Sequence, residues 1–229
     1  MTNILLIETS QTICSVALAS DGKIIADYIT HELMKHATCL PVYVNDALTV
    51  AREHNIRLDA IAVSGGPGSY TGLRIGVSTA KGLAYALQIP LIAIDTLEIM
   101  AREIIAATSP STDTLICPMV DARRMEVYTT LFDCNFQNIL PAEAKIIDAE
   151  SYSDVDTSKS IIFGGNGADK CQGVITRTNC QWIKDITPTA TEMVDIAYRM
   201  YNTKHFADVA YYEPFYLKEF QATTPKQQL

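Results

Sequence analysis

Ser64–Gly76 reads SGGPGSYTGLRIG. An apolar run, Asp59–Ser64 (DAIAVS), leads into it, and a helix-like segment carries on to about Leu87. A strand, a glycine cluster and a helix start in that order make a β–α turn able to aim backbone N–H groups at an anion. The Walker pattern is missing, because no Gly-Lys-Ser/Thr follows and Lys81-Gly82 runs in the wrong order. GxGxxG fails too, since Gly66-Pro67-Gly68 is followed by Ser69-Tyr70-Thr71. Two readings stay open: a tight turn capped by Ser69 or Thr71, or a vestigial anion or nucleotide loop using Gly65, Gly66, Gly68 and Ser69.

The helix after the loop says more. At about 100° per residue, Leu73, Gly76, Val77, Ala80, Leu83, Ala84 and Leu87 share one face, the expected core stripe. The opposite side carries Ile75, Thr79, Gly82 and Ala86, where a solvent face would carry Lys and Glu. Small and apolar residues there let another helix approach closely. The preceding helix, about Thr38–His54, has its core stripe in Leu40, Tyr43, Val44, Ala47, Leu48 and Ala51. Its weaker second stripe is Cys39, Val42 and Val50, interrupted by Asp46. A protein contact built from both helices is one reading; a cover supplied by another part of this chain is the other. Arg74, off the core stripe among Ser78, Lys81 and Tyr85, suits either a partner carboxylate or plain exposure with its stem on the surface.

Upstream, Asn3–Glu8, Thr12–Ser20 and Lys23–Thr30 are β-like runs separated by polar turns, an antiparallel meander. Downstream, Pro90 precedes a strand at Leu91–Ile94 and a helix capped by Asp95 or Thr96 that ends near Ala107. The order is βββαβαβα. After a linker at Thr108–Asp113 the pattern restarts: Leu115–Val120, the acid Asp121, then Met125–Phe132. Ile161–Phe163 runs into Gly164-Gly165-Asn166-Gly167, expected to open a short helix, as Ala62–Ser64 runs into Gly65-Gly66-Pro67-Gly68. Two degenerate copies of one unit, residues 1–107 and 108–229, are expected, with a last helix at about Ala190–Tyr201 and a polar tail beyond Tyr211.

Glu8 and Asp121 each end a buried-type strand at a hairpin. Facing a cleft they would suit Mg²⁺ in a phosphotransferase; as turn acids they would cap N–H groups. His31 and His36, five apart, do not converge from one helix, and His54 and His205 have no ligand-like neighbours. No GxSxG elbow occurs. Arg123-Arg124 is the only adjacent basic pair, either a solvated turn or an anion or RNA contact. The 229 residues include 18 Lys+Arg against 26 Asp+Glu, a net charge of −8, which argues against this chain as the main grip on a phosphate backbone. The six cysteines form no CxxC pair, so buried thiols in a reducing cytoplasm are expected. No signal peptide, membrane span, metal or cofactor is expected.

ILLIETS, GGPGSYTGLRIG, DARRMEVY at Asp121–Tyr128, GGNGAD at Gly164–Asp169 and PFYLKE at Pro214–Glu219 together closely resemble the TsaB (YeaZ) family over nearly the whole chain. The resemblance implies an α/β, two-lobed actin/sugar-kinase/Hsp70-like (ASKHA) fold, a duplicated βββαβαβα unit. It also implies a non-catalytic subunit for threonylcarbamoylation of the tRNA adenosine beside the anticodon. The implied partners are a catalytic TsaD-like paralogue and a TsaE-like ATPase. The implied contact is the first two helices of the N-terminal lobe, a surface through which the chain also pairs with itself; any tRNA contact is at most indirect. The interface set is then Cys39, Val42, Val50, Thr71, Arg74, Ile75, Ser78, Thr79, Gly82 and Ala86, and the vestigial set Glu8, Thr9, Gly65, Gly66, Gly68, Ser69 and Asp121. Where the family reads Asp-Thr-Ser this chain has Glu8-Thr9-Ser10, one methylene longer, Tyr70 stands where Phe is common, and the paralogue's His-x-x-x-His pair is absent. An ASKHA-type ATP-dependent phosphotransferase using Glu8 and the Gly65–Ser69 loop is the alternative, and a metallopeptidase is the weakest reading.

Overall fold

A computed structural model describes residues 1–30, 32 and 35–217. His31, and Lys218 and Glu219 of the PFYLKE motif, lie outside the described residues. The first half follows the expected order: β1 (Asn3–Glu8), β2 (Ser15–Ser20), β3 (Lys23–Ile29), α1 (His36–Glu53), β4 (Ala60–Gly66), α2 (Tyr70–Leu87), β5 (Leu91–Asp95) and α3 (Thr96–Thr108). The second half is β6 (Thr114–Asp121), β7 (Glu126–Asp133), β8 (Asn138–Ile146), β9 (Ser160–Gly164), β10 (Cys180–Ile183) and α4 (Val194–Asn202), the last preceded by a 3₁₀ turn at Thr191–Met193.

The duplication is complete at the level of sheets. The first has the order β3-β2-β1-β4-β5 and the second β8-β7-β6-β9-β10. In each, three antiparallel strands are joined by two parallel ones. β1, β4 and β6 are apolar without alternation because both faces of each sheet are covered. Leu5, Ile7, Ile61 and Val63 face a core made with α1 and α2. Ile4, Leu6, Ala62 and Ile92 face α4. The helices that close the two units cross over. Leu97, Met100, Ala101 and Ile104 of α3 pack on Ile116, Val120 and Ile162 of the second sheet. Met193, Val194, Ile196 and Ala197 pack on the first sheet. The chain therefore returns to the first lobe after building the second.

Two expectations change, and two strands are added. The helix expected after Gly164-Gly165-Asn166-Gly167 is a series of turns, with i→i+3 bonds at Ala168→Gly165 (2.9 Å), Cys171→Ala168 (2.9 Å) and Val174→Cys171 (3.0 Å). Among the described residues the second lobe thus has no counterparts of α1 and α2, and turns, Tyr152 and Trp182 fill that side of its core. β8 and β10 had no clear signal: β8 is an exposed edge strand containing Pro141, and β10 has four residues. Leu83 is only half-buried and Leu87 is exposed, so the core stripe of α2 ends at Ala84.

Candidate functional site

Ser69 caps α2, its hydroxyl accepting from the Gly72 N–H at 3.2 Å, and Gln88 ends the helix in the left-handed region. Leu73, Gly76, Val77, Ala80 and Ala84 are buried as the stripe predicts. On the outer side Thr71, Arg74, Ser78, Gly82 and Ala86 are exposed, and Ile75 and Thr79 are half-buried. A methyl group added at Gly82 would meet no atom within 4 Å among the described residues. On α1, Cys39 and Val50 are half-buried and Val42 is 54% exposed. Since α1 and α2 pack side by side on one face of the first sheet, the two second stripes are neighbours. Tyr85, 80% exposed, adds an aromatic to this side of α2.

This face is chemically quiet. Thr79 donates its hydroxyl to Ile75 O at 2.8 Å, and Thr49 of α1 does the same to Asn45 O at 2.9 Å. Hydroxyls satisfied within their own helix leave little desolvation cost when the surface is covered. Arg74 is its main charge, and it already has company: its guanidinium lies 4.0 Å over the Tyr70 ring, and Tyr216 hydrogen-bonds it.

The glycine loop is packed by the chain itself. The Ser69 N–H donates to Ser10 O at 2.7 Å. Methyl groups on Gly68 and Gly72 would sit 2.3 Å from Ser10 O and 2.1 Å from Thr9 O, and one on Gly76 2.0 Å from Thr9 Oγ1. These glycines let the β1–β2 turn lie directly on α2. Thr9 anchors it, donating its hydroxyl to Gly72 O at 2.8 Å. On the other side, Phe215 O would stand 2.6 Å from a methyl group on Gly66. Carbonyl oxygens line the approach, and these repel phosphate.

The two acids differ. Glu8 is wholly buried; its Oε1 accepts from the Ser10 N–H (2.5 Å) and hydroxyl (2.6 Å), while Oε2 has no hydrogen-bond partner within 3.5 Å among the described residues. Burial pushes its carboxyl up to about 7, against the opposing pull of hydrogen bonds from Ser10 and Ser64. Asp121 is exposed, accepts from the Arg123 N–H at 3.0 Å and is paired with Lys170. They do not form a shared site. An amide contact nearby bridges the lobes: Asn166 Nδ2 donates to Gln11 Oε1 at 2.7 Å, and Asn166 Oδ1 accepts from the Asp121 N–H at 2.9 Å. The GGNG motif pointed to Asn166, but nothing in the pattern pointed to Gln11 or Lys170. Arg123 and Arg124 sit in an exposed turn. Among the described residues no group of three His, Cys, Asp or Glu side chains converges as a metal's ligands would.

A protein-family model described as TsaD, tRNA N6-adenosine threonylcarbamoyltransferase, matches residues 24–223. The chain is 41% identical over 129 residues to the tRNA threonylcarbamoyladenosine biosynthesis protein TsaB of Bacillus subtilis (strain 168), a match spanning 56% of this chain and 54% of that one. It is 30% identical over 225 residues to TsaB of Escherichia coli (strain K12), covering 94% of each. The chain belongs to the TsaB (YeaZ) family. Its fold agrees: the solved structure of YeaZ from Pseudomonas aeruginosa superposes with a TM-score of 0.78 at 26% identity, covering 95% of this chain and all of that one. Two mixed sheets carrying helices make this TsaB-family chain a two-lobed ASKHA-type α/β protein. No helix among the described residues is long and apolar enough to cross a membrane.

Proposed function

We propose that this TsaB-family chain is a non-catalytic, cytoplasmic subunit supporting threonylcarbamoylation of the tRNA adenosine next to the anticodon. It docks a TsaD-like catalytic paralogue on the outer face of α1 and α2, in a complex that includes a TsaE-like ATPase, and touches tRNA at most indirectly. The observation that carries this reading is the α2 face itself: exposed, nearly uncharged, with internally satisfied hydroxyls and an open position at Gly82. The names of its relatives, tRNA threonylcarbamoyladenosine biosynthesis proteins, supply the pathway. Self-pairing uses the same face, so the paralogue and a second copy compete for it.

The phosphotransferase alternative needs a charged Glu8 open to solvent and a loop open to phosphate. A buried carboxyl held near about 7 and a loop facing the Ser10 and Phe215 carbonyls count against it. Reconstitution tests the proposal. The purified chain should transfer no threonylcarbamoyl group to tRNA, and adding the paralogue with the remaining pathway proteins should give transfer that depends on this chain. Transfer by the chain alone would overturn the non-catalytic assignment; full transfer without it would overturn the supporting role.

A further inference from the structure

Beyond α4 the chain crosses the docking lobe once more. The Ala207 N–H donates to Leu91 O at 2.8 Å, placing the chain beside the start of β5. From there it makes a turn, the Tyr212 N–H donating to Asp208 O at 2.8 Å, and runs on to Tyr216, and Ala207, Val209 and Tyr212 pack on the core beneath α1 and α2. Tyr211 and Phe215 point outward.

This strap grips α2 and its loop at three separate points. At the loop, the Phe215 N–H donates to Gly65 O at 2.7 Å. In the first turn of α2, the Tyr216 ring lies 5.0 Å from that of Tyr70, and its hydroxyl bonds Arg74. In the third turn, Lys81 Nζ donates to both Ala210 O (3.2 Å) and Tyr212 O (2.8 Å). The glycines are matched to it. A methyl group at Gly65 would stand 2.3 Å from Tyr212 Oη, and Gly66 has φ +106°, which suits glycine, with Phe215 O against it. Bonds made by a lysine, two tyrosines and the backbone, all to one helix and its loop, describe a clasp, not a loose tail.

We propose that residues 207–216 form a clamp that holds the Gly65–Ser69 loop and the first three turns of α2, and with them the docking face, in the shape a partner binds. Its conformational half stands on the strap contacts alone, and its partner half rests on the docking reading above. A helix packed by few groups opens locally at low cost, and a clamp raises that cost. A partner that binds only the clamped face loses affinity in proportion to the fraction of chains still clamped.

The test uses the full chain carrying Tyr212→Ala and Tyr216→Ala, with Lys81→Gln as a milder variant should the double substitution fold poorly. Hydrogen exchange of the isolated chain reads the clamp, and affinity for the purified TsaD-like paralogue reads docking. The double variant should lose protection by about tenfold or more across residues 68–82, with β1 and residues 60–64 unchanged, and bind the paralogue about fivefold or more weakly. Lys81→Gln should show a smaller loss of protection centred on the third turn. Unchanged protection in both variants would overturn the clamp whatever the partner does. Lost protection with full affinity would overturn its role in docking, provided that Gly82→Arg, which leaves the strap untouched, does abolish binding. If Gly82→Arg binds like the wild type, the docking reading falls by itself, and the exchange result still decides the clamp.

Discussion

On one face of the first sheet lie two helices of 18 residues each; on the corresponding face of the second lie turns, Tyr152 and Trp182. The strand order beneath is the same. Sheet order follows from two hairpins and two parallel additions, and it tolerates replacement of the covering layer as long as something apolar fills it. What the second lobe loses is a long, flat helical surface. Among the described residues only the first lobe offers such a helix pair, so a partner recognising that pair has one place to land. The acids repeat the contrast. Glu8 is sealed beneath the β1–β2 turn and the glycine loop, while Asp121 stands in an exposed turn with Lys170.

The largest contrast is expected within α2. Gly72→Ala drives a methyl group to 2.1 Å from the Thr9 carbonyl, a backbone atom that cannot swing away. It should cost about 3 kcal/mol or more and lower the melting temperature by roughly 6–12 °C. Ten residues on, Gly82→Ala meets open space and should stabilise by about 1 kcal/mol through helix propensity. Equal melting curves for the two would contradict the tight seat of the β1–β2 turn on the helix.

Glu8→Gln comes next and depends on pH. A carboxyl raised from 4.5 to about 7 on folding holds its proton more tightly in the folded chain than in the unfolded one. Its contribution to stability is therefore complete below about 4.5 and is lost as pH rises through about 7, a swing of about 3 kcal/mol at most. Gln keeps the oxygen that accepts from Ser10 and carries no charge, so the variant should gain on the wild type between pH 5 and pH 8.5 in urea melts. A difference that stays flat with pH would mean that water reaches Glu8. Asp121→Asn, at the matching position of the second lobe, is the smallest change. It weakens an exposed pair and should shift stability by less than about 1 kcal/mol; a larger loss would show that the second acid is as structural as the first.

Much of this was legible in the sequence. The meander, the α1 and α2 stripes and the glycine loop are carried by short-range periodicity, so their elements fall within a few residues of where the pattern puts them. The second lobe was harder because its outer layer has no period: the turns after Gly164 and the exposed β8 edge offer neither a helical stripe nor strict alternation. The candidate site divided the same way. Of the outer stripe that helical spacing assigned to α2, Gly82 and Ala86 are exposed and Ile75 and Thr79 half-buried. The purpose of Gly65, Gly66 and Gly68 was not legible, because their neighbours, Ser10 and the 212–215 strap, meet them only through the fold. A glycine cluster shows that something approaches closely; only coordinates show that the visitor is the chain's own backbone.

Docking on the outer face of α2 is open to a direct measurement. Gly82→Arg addresses it most directly, since the side chain has room in the single chain and so should not disturb folding. Affinity of the folded variant for the TsaD-like paralogue, measured by calorimetry beside the wild type, should fall a hundredfold or more, with an unchanged melting temperature. Binding as tight as the wild type's would contradict the account.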